Sequence, residues 1–197
     1  MAGSPSEARP LYLASQSPRR AELLQQIGVD HQSLAVAVDE SAGPSELPSP
    51  YVERLARDKA EAGVAALTAP GVVLGADTAI ELDGRILGKP ADLAEARRWL
   101  EALSGRDHHV VSAVALADGR ATACRVNRTR VVMRPIEPDE LTAYLATGEP
   151  VDKAGGYAIQ GRGALFVECI EGSYSAVMGL PLCETGQLLG EFGVRVL

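Results

Sequence analysis

Apolar positions along the chain fall into short runs and helical stripes, and the changes of period mark the elements. Leu11-Tyr12-Leu13-Ala14 is an apolar run long enough for one buried strand. Ser15-Gln16-Ser17-Pro18 then turns the chain, and Arg19 to Ile27 carries Leu23, Leu24 and Ile27 on one helical stripe. Ser17 suits the N-cap, Pro18 suits the first helical position because its missing N–H costs nothing there, and Gly28 ends the helix. Leu34 to Val38 alternates weakly and predicts a second strand ending at Asp39-Glu40, followed by a surface loop from Ser41 to Pro50. Tyr51 to Leu67 has helical spacing, with Val52, Leu55, Ala56 and Lys59 at helical intervals.

The β-branched, apolar run Val72 to Ala76 predicts a central strand that delivers Asp77-Thr78 at its end. Asp83-Gly84 and Asp118-Gly119 each sit between strand-like segments and predict hairpins, the first between 79–82 and 85–87 and the second between 109–116 and 121–133. Further helices are expected over Asp92–Leu103, Glu137–Thr147 and Leu182–Phe192, with an apolar strand over Ala164–Ile170. No internal repeat or long linker divides the chain, so one α/β domain with a mixed sheet is expected over residues 11–197. Met1 to Pro10 lacks the cationic start and apolar middle of a signal peptide and reads as a short disordered lead-in.

Composition narrows the chemistry. The net charge is −7 and only 4% of residues are aromatic. A nucleic-acid partner is therefore not expected, since phosphate-backbone binding needs a basic stripe and single-strand binding needs stacking platforms. A small anion held by a few focused cations stays compatible with that balance. Cys124, Cys169 and Cys183 are odd in number and widely spaced, which fits reduced thiols and offers no metal spacing. No apolar run approaches the roughly 20 residues of a membrane span, so no membrane partner and a cytoplasmic location are expected.

Several polar groups stand out against this background. Ser15, Ser17, Arg19 and Arg20 surround a helix start, whose unpaired N–H groups and partial positive charge favour phosphate. The same segment also reads as a plainly capped helix with solvated arginines. Asp77 and Thr78 would lie at the rim of a sheet, where α/β clefts form, and an ordinary turn carboxylate is the competing reading. Glu40 would close a neighbouring strand, so Glu40 and Asp77 could share a hard cation such as Mg²⁺, although Glu40 equally fits a solvated loop. Lys59, Lys89 and Lys153 sit beside turns or apolar faces, and Gly155, Gly156 and Gly161 allow close approach to a ligand. Gln160 carries a neutral amide that can read a base edge. His31, His108 and His109 lack the spacing of a zinc site.

Taken in order, Leu13-Ala14-Ser15-Gln16-Ser17-Pro18-Arg19-Arg20, Gly75-Ala76-Asp77-Thr78, Gly88-Lys89-Pro90, Leu103-Ser104-Gly105, Asp152-Lys153-Ala154-Gly155, Tyr157-Ala158-Ile159-Gln160-Gly161 and Gly179-Leu180-Pro181 resemble the bacterial Maf family of nucleotide pyrophosphatases. The resemblance implies a two-lobed mixed twisted sheet with flanking helices and a central cleft, akin to the inosine triphosphatases. It implies hydrolysis of a nucleoside triphosphate to monophosphate and pyrophosphate with a divalent cation, Mg²⁺ or Mn²⁺. Asp77 would be the acidic catalytic residue and, with Glu40, a metal ligand. Ser15, Ser17, Arg19, Lys59, Thr78, Lys89, Lys153 and Gln160 would bind substrate. Gln160 resembles the branch acting on dTTP and UTP, whereas the 7-methyl-GTP branch tends to carry Glu there. Family members are often homodimers. The competing functions are a nucleotide-binding regulator of cell division, a 7-methyl-GTP pyrophosphatase, and a metal-free phosphatase that removes the terminal phosphate.

Overall fold

The computed structural model describes residues 9–196, so most of the lead-in expected over 1–10 lies outside the described residues. Seven strands form one mixed sheet: β1 (Leu11–Ala14), β2 (Gln32–Ser33), β3 (Val72–Leu82), β4 (Arg85–Leu87), β5 (Asp107–Ala117), β6 (Thr122–Met133) and β7 (Val167–Glu171). Their order is β2-β1-β3-β5-β6-β7, with β4 paired to β3 beyond the end of β1. β1 runs parallel to β2 and β3; every other pairing is antiparallel. Six α-helices flank the sheet: α1 (Pro18–Gln26), α2 (Pro48–Ala66), α3 (Leu93–Leu103), α4 (Pro138–Leu145), α5 (Tyr174–Met178) and α6 (Leu182–Glu191). No helix among the described residues is long and apolar enough to cross a membrane.

The two expected hairpins form where the Asp-Gly dipeptides stand. Asp83 and Gly84 both take positive φ, 51° and 75°, the backbone of a tight turn that matches strand twist. At the other turn the Asp118 carboxylate accepts the N–H groups of Arg120 and Ala121. α3 begins on Asp92, whose carboxylate accepts the Glu95 N–H as an N-cap.

Four expectations need correction. The strand over 34–38 does not form. β2 is two residues long because its partner β1 ends at Ala14 and turns into α1, leaving residues beyond Leu34 nothing to pair with. The loop over 41–50 ends early, since α2 starts at Pro48 with proline in its first turn. The strand over 164–170 begins only at Val167, after a 3₁₀ segment from Arg162 to Phe166. Most consequentially, Asp77 and Thr78 do not end a strand. β5 pairs β3 without interruption from Val73 to Glu81, carrying both residues into the middle of an eleven-residue strand. The short helix α5 is an addition that its five residues were too few to announce.

Side chains of β3 alternate between two packed faces. Ala79, with Val111, Ala113, Ala115 and Ala117 of β5, packs under Val52, Ala56 and Ala60 of α2. The opposite face carries two separate apolar clusters. One joins Val72, Leu74, Ala76, Val114 and Leu116 to Leu23 and Leu24 of α1 and to Leu188 and Leu189 of α6. The other joins Ile80, Leu82, Val110, Val131 and Met133 to Leu100 and Leu103 of α3 and to Leu141 and Tyr144 of α4. Thr78 and its cross-strand partner Ser112 lie at the seam between these two lobes.

Candidate active site

The seam coincides with an interruption along one edge of β3. β1 pairs only as far as Gly75, and β4 begins pairing at Ile80. Residues 76–79 are thus held by β5 on one side and bordered by no strand on the other. That gap opens into a cleft of about 960 Å³. The chain leaving β1 supplies Ser15 to Arg20, the chain leaving β4 supplies Gly88 and Lys89, and residues 152–154, 157–160 and 177–179 line the remaining wall. All ten residues expected from the sequence, Ser15, Ser17, Arg19, Glu40, Lys59, Asp77, Thr78, Lys89, Lys153 and Gln160, line this one cleft.

Lys59 and Asp77 form the floor. The Lys59 ammonium donates to Asp77 Oδ1 at 2.7 Å and reaches Glu40 Oε1 at 2.6 Å. Lys59 and Asp77 are each only 8% exposed, whereas Glu40 reaches in from the rim. Gly75 makes this meeting possible. A Cβ there would collide with Ala56 O of α2, stand 2.6 Å from Ala60 N and press on Lys59 Cβ, so glycine lets the helix lie directly on the strand. Burial opposes the charge on Glu40, but the hydrogen bond and charge of Lys59, helped by Lys89 and Arg20, outweigh it and hold the Glu40 carboxyl below its ordinary range. Glu40 itself is strapped to α2. The Tyr51 hydroxyl donates to Glu40 O at 2.9 Å, and Arg54 donates to Ser41 O while pairing bidentately with Glu46. Burial, with Asp77 and Glu40 nearby, pushes the Tyr51 phenol up to about 12.

At the helix start the geometry divides the labour of the two arginines. Ser17 occupies the N-cap position but makes no side-chain cap bond; its N–H donates to Ser15 Oγ at 3.2 Å. The N–H groups of the first turn are therefore not engaged by a Ser17 cap. Arg20 is committed to the protein: it donates to Ser15 Oγ (3.1 Å), Gly179 O (2.9 Å) and Thr78 Oγ1 (3.5 Å). Thr78 Oγ1 lies 2.8 Å from Ser112 Oγ, which donates to Ala176 O at 2.7 Å. With Thr78 donating, an oriented chain of hydrogen bonds crosses the seam from Arg20 to α5. Arg19 makes one hydrogen bond among the described residues, Nε to Met178 O at 3.3 Å. Burial lowers the pKa of both guanidiniums, and Glu22 opposes this for Arg19 as Asp77 does for Arg20; both stay charged at neutral pH.

The remaining wall is a loop built around a residue the sequence did not single out. Glu149 accepts the N–H groups of Arg162 (2.9 Å) and Gly163 (3.0 Å) and the Tyr144 hydroxyl (2.8 Å). Burial would raise the Glu149 carboxyl, yet these donors and Lys153 hold it below its usual range. Gly161 lies flat against this carboxylate, and a Cβ there would overlap it. Gln160, one residue earlier, is thereby held at the cleft mouth with its side chain exposed. Tyr157 anchors the loop from inside, its hydroxyl 2.7 Å from His108 Nε2. Burial, with His109 adding and Asp107 opposing, lowers the His108 pKa to about 4, so this histidine is neutral. It is a buried strand residue whose Nδ1 makes no hydrogen bond among the described residues.

The lining holds five cations (Arg19, Arg20, Lys59, Lys89, Lys153) against three carboxylates (Glu40, Asp77, Asp152) in a chain of net charge −7. Such a local excess draws a polyanionic small molecule inward. Among the described residues no cluster of three or more His, Cys, Asp or Glu converges. Glu40 and Asp77, meeting on one ammonium, form a two-carboxylate donor set, which suits a hard cation that takes its other ligands from water and phosphate.

Comparison with known proteins finds relatives along nearly the whole chain. The curated dTTP/UTP pyrophosphatase of Aromatoleum aromaticum is 53% identical over 202 residues, covering 96% of this chain and 98% of the relative. That of Nitrosomonas europaea is 50% identical over 198 residues, covering 94% and 96%. Among solved structures, the Staphylococcus aureus Ham1 protein overlaps 64% of this chain and 72% of its own, at 18% identity and a TM-score of 0.48. A sequence model described as Maf-like protein matches residues 10–192, a span that contains every cleft residue named above. The chain belongs to the Maf-like protein family.

Proposed function

We propose that this protein hydrolyses nucleoside triphosphates, dTTP and UTP foremost, to the monophosphate and pyrophosphate. The observation that carries the reading is the convergence, on one cleft at the open stretch of β3, of the Glu40 and Asp77 carboxylates bridged by Lys59 and of the helix-start arginines. The relatives named dTTP/UTP pyrophosphatase support the substrate choice.

In this reading Arg19, Lys89, Lys153 and the first turn of α1 hold the phosphate oxygens, with Ser15 and Ser17 beside them. Arg20 and Thr78 keep the helix start aligned with β3. Asp77 takes the proton of a water that attacks the α-phosphorus. The bond from that phosphorus to the bridging oxygen breaks, and pyrophosphate leaves with the electron pair. Lys59 and Arg19 offset the charge that gathers on the departing oxygens. A divalent cation, Mg²⁺ or Mn²⁺, held by Glu40 and Asp77, would add charge neutralisation at the phosphate oxygens. Gln160, held at the cleft mouth by its loop, reads the pyrimidine edge through its amide. Residues 11–197 act as one domain, without nucleic acid and in the cytoplasm, and a homodimer follows from the family resemblance.

Product analysis tests this proposal. With dTTP or UTP and Mg²⁺, pyrophosphate and monophosphate are expected in equal amounts. Orthophosphate and diphosphate instead would mean attack at the terminal phosphate. Binding without turnover would leave only a regulatory role, and faster turnover of 7-methyl-GTP would overturn the pyrimidine assignment.

A further inference from the structure

The position between Glu40 and Asp77 is already filled by a cation of the protein itself. Lys59 Nζ stands 2.6 Å from Glu40 Oε1 and 2.7 Å from Asp77 Oδ1, so the two carboxylates share one ammonium. The base of the Lys59 side chain is held in place, so only its flexible stem can redirect the ammonium. Lys59 belongs to the buried face of α2, and α2 lies on Gly75 with Lys59 Cβ 3.1 Å from where a Cβ of residue 75 would be. A metal ion held by Glu40 and Asp77 would have to displace this close positive charge, which among the described residues pairs with no other carboxylate. Two positive groups forced within a few ångströms of each other in a partly buried site repel strongly.

A triphosphate changes that balance. It brings acceptor oxygens into a wall where Arg19, Lys89 and Lys153 already gather, and it gives the Lys59 ammonium a second anion without moving its helix. We propose that Lys59 serves as a built-in stand-in cation, guarding Glu40 and Asp77 in the nucleotide-free protein and ceding them only when a triphosphate is present. Metal and nucleotide then load together, and their affinities are coupled in both directions. The same device keeps the buried Asp77 carboxylate neutralised between turnovers, since an unpaired buried charge is costly. The inference rests on Glu40 and Asp77 being the metal ligands.

Mn²⁺ titration followed by electron paramagnetic resonance tests it without reference to turnover. Nucleotide-free wild-type protein should bind Mn²⁺ weakly. Lys59→Met, which keeps the stem and removes the charge, should bind at least tenfold more tightly, and Lys59→Gln should follow it if the methionine variant is poorly folded. Adding Asp77→Asn to either variant should abolish the gain. Equal Mn²⁺ affinity in wild type and both Lys59 variants, still lost with Asp77→Asn, would overturn the stand-in role while leaving the metal assignment intact. Bound Mn²⁺ that ignores Asp77→Asn even with α,β-methylene-UTP present would overturn the metal assignment, and the stand-in role with it.

Discussion

The floor and the mouth of the cleft are built by different means. Asp77, Thr78 and Lys59 stand on long pieces of regular structure, a strand paired by β5 from Val73 to Glu81 and a nineteen-residue helix pressed onto it through Gly75. Gln160 and Lys153 stand on a loop with 3₁₀ turns, whose shape depends on one carboxylate, Glu149, and one buried pair, His108 and Tyr157. Regular structure places atoms with little freedom, as bond chemistry requires. A stapled loop can vary its residues without disturbing the sheet, as a choice among bases requires. Substitutions in the floor should therefore act on turnover, and those at the mouth on substrate preference.

Asp77→Asn is expected to have the largest effect. It preserves shape and a hydrogen bond to Lys59 while removing the base, so kcat should fall by about 10²-fold or more. Circular dichroism should report an unchanged fold. A purified, folded variant with near-normal kcat would break the distinction at its strongest point.

A middle-sized effect is expected at the mouth. Glu149→Ala removes the acceptor shared by two backbone N–H groups and the Tyr144 hydroxyl. Losing charge-assisted hydrogen bonds of this kind costs about 1.5–3 kcal/mol, and the released loop should raise KM for UTP about tenfold or more while kcat moves little. Glu149→Gln, which still accepts, should recover part of the loss. Gln160→Glu should lower the use of dTTP and UTP relative to purine triphosphates, read from kcat/KM across a substrate panel. Losses confined to kcat in these variants would erase the contrast between floor and mouth.

The smallest effect on catalysis is expected at His108, which should act on stability instead. Its pKa is about 4 in the folded protein against 6.5 unperturbed. The unfolded chain therefore binds the extra proton first as pH falls. The contribution of the neutral ring is complete above pH 6.5 and is lost progressively down to about pH 4, by roughly 1.4 kcal/mol for each unit inside that window. Urea denaturation between pH 6.5 and 5 should show this slope, and His108→Gln should flatten it. An unchanged slope in the variant would assign the acid sensitivity to other groups.

Much of the architecture was legible because its causes are local. Pro18 at the first helical position, the positive-φ Asp83-Gly84 turn and the period of three to four in α2, α3 and α6 act through neighbours in the chain, so they announce themselves in a single sequence. Errors fell where a partner decided the outcome. The alternating run 34–38 had the pattern of a strand and no strand to pair with. Asp77 and Thr78 looked like the end of a strand because polar residues ordinarily stop one. They continue β3 because β5 pairs through them while the opposite edge is open.

The site divides in the same way. The sequence by itself determined the chemical kinds present: a helix start with arginines, a carboxylate after an apolar run, isolated lysines and an amide in a glycine-rich loop. Only the tertiary structure decided their combination. It brought Lys59 from α2 between Glu40 and Asp77, bound Arg20 to Ser15, Thr78 and Gly179, and made Glu149 the staple of the loop that carries Gln160. The reason is sequence separation. Propensities, caps and turns are settled within a few residues, whereas a hydrogen bond between residues 18 or 159 apart exists only once the sheet has brought them together.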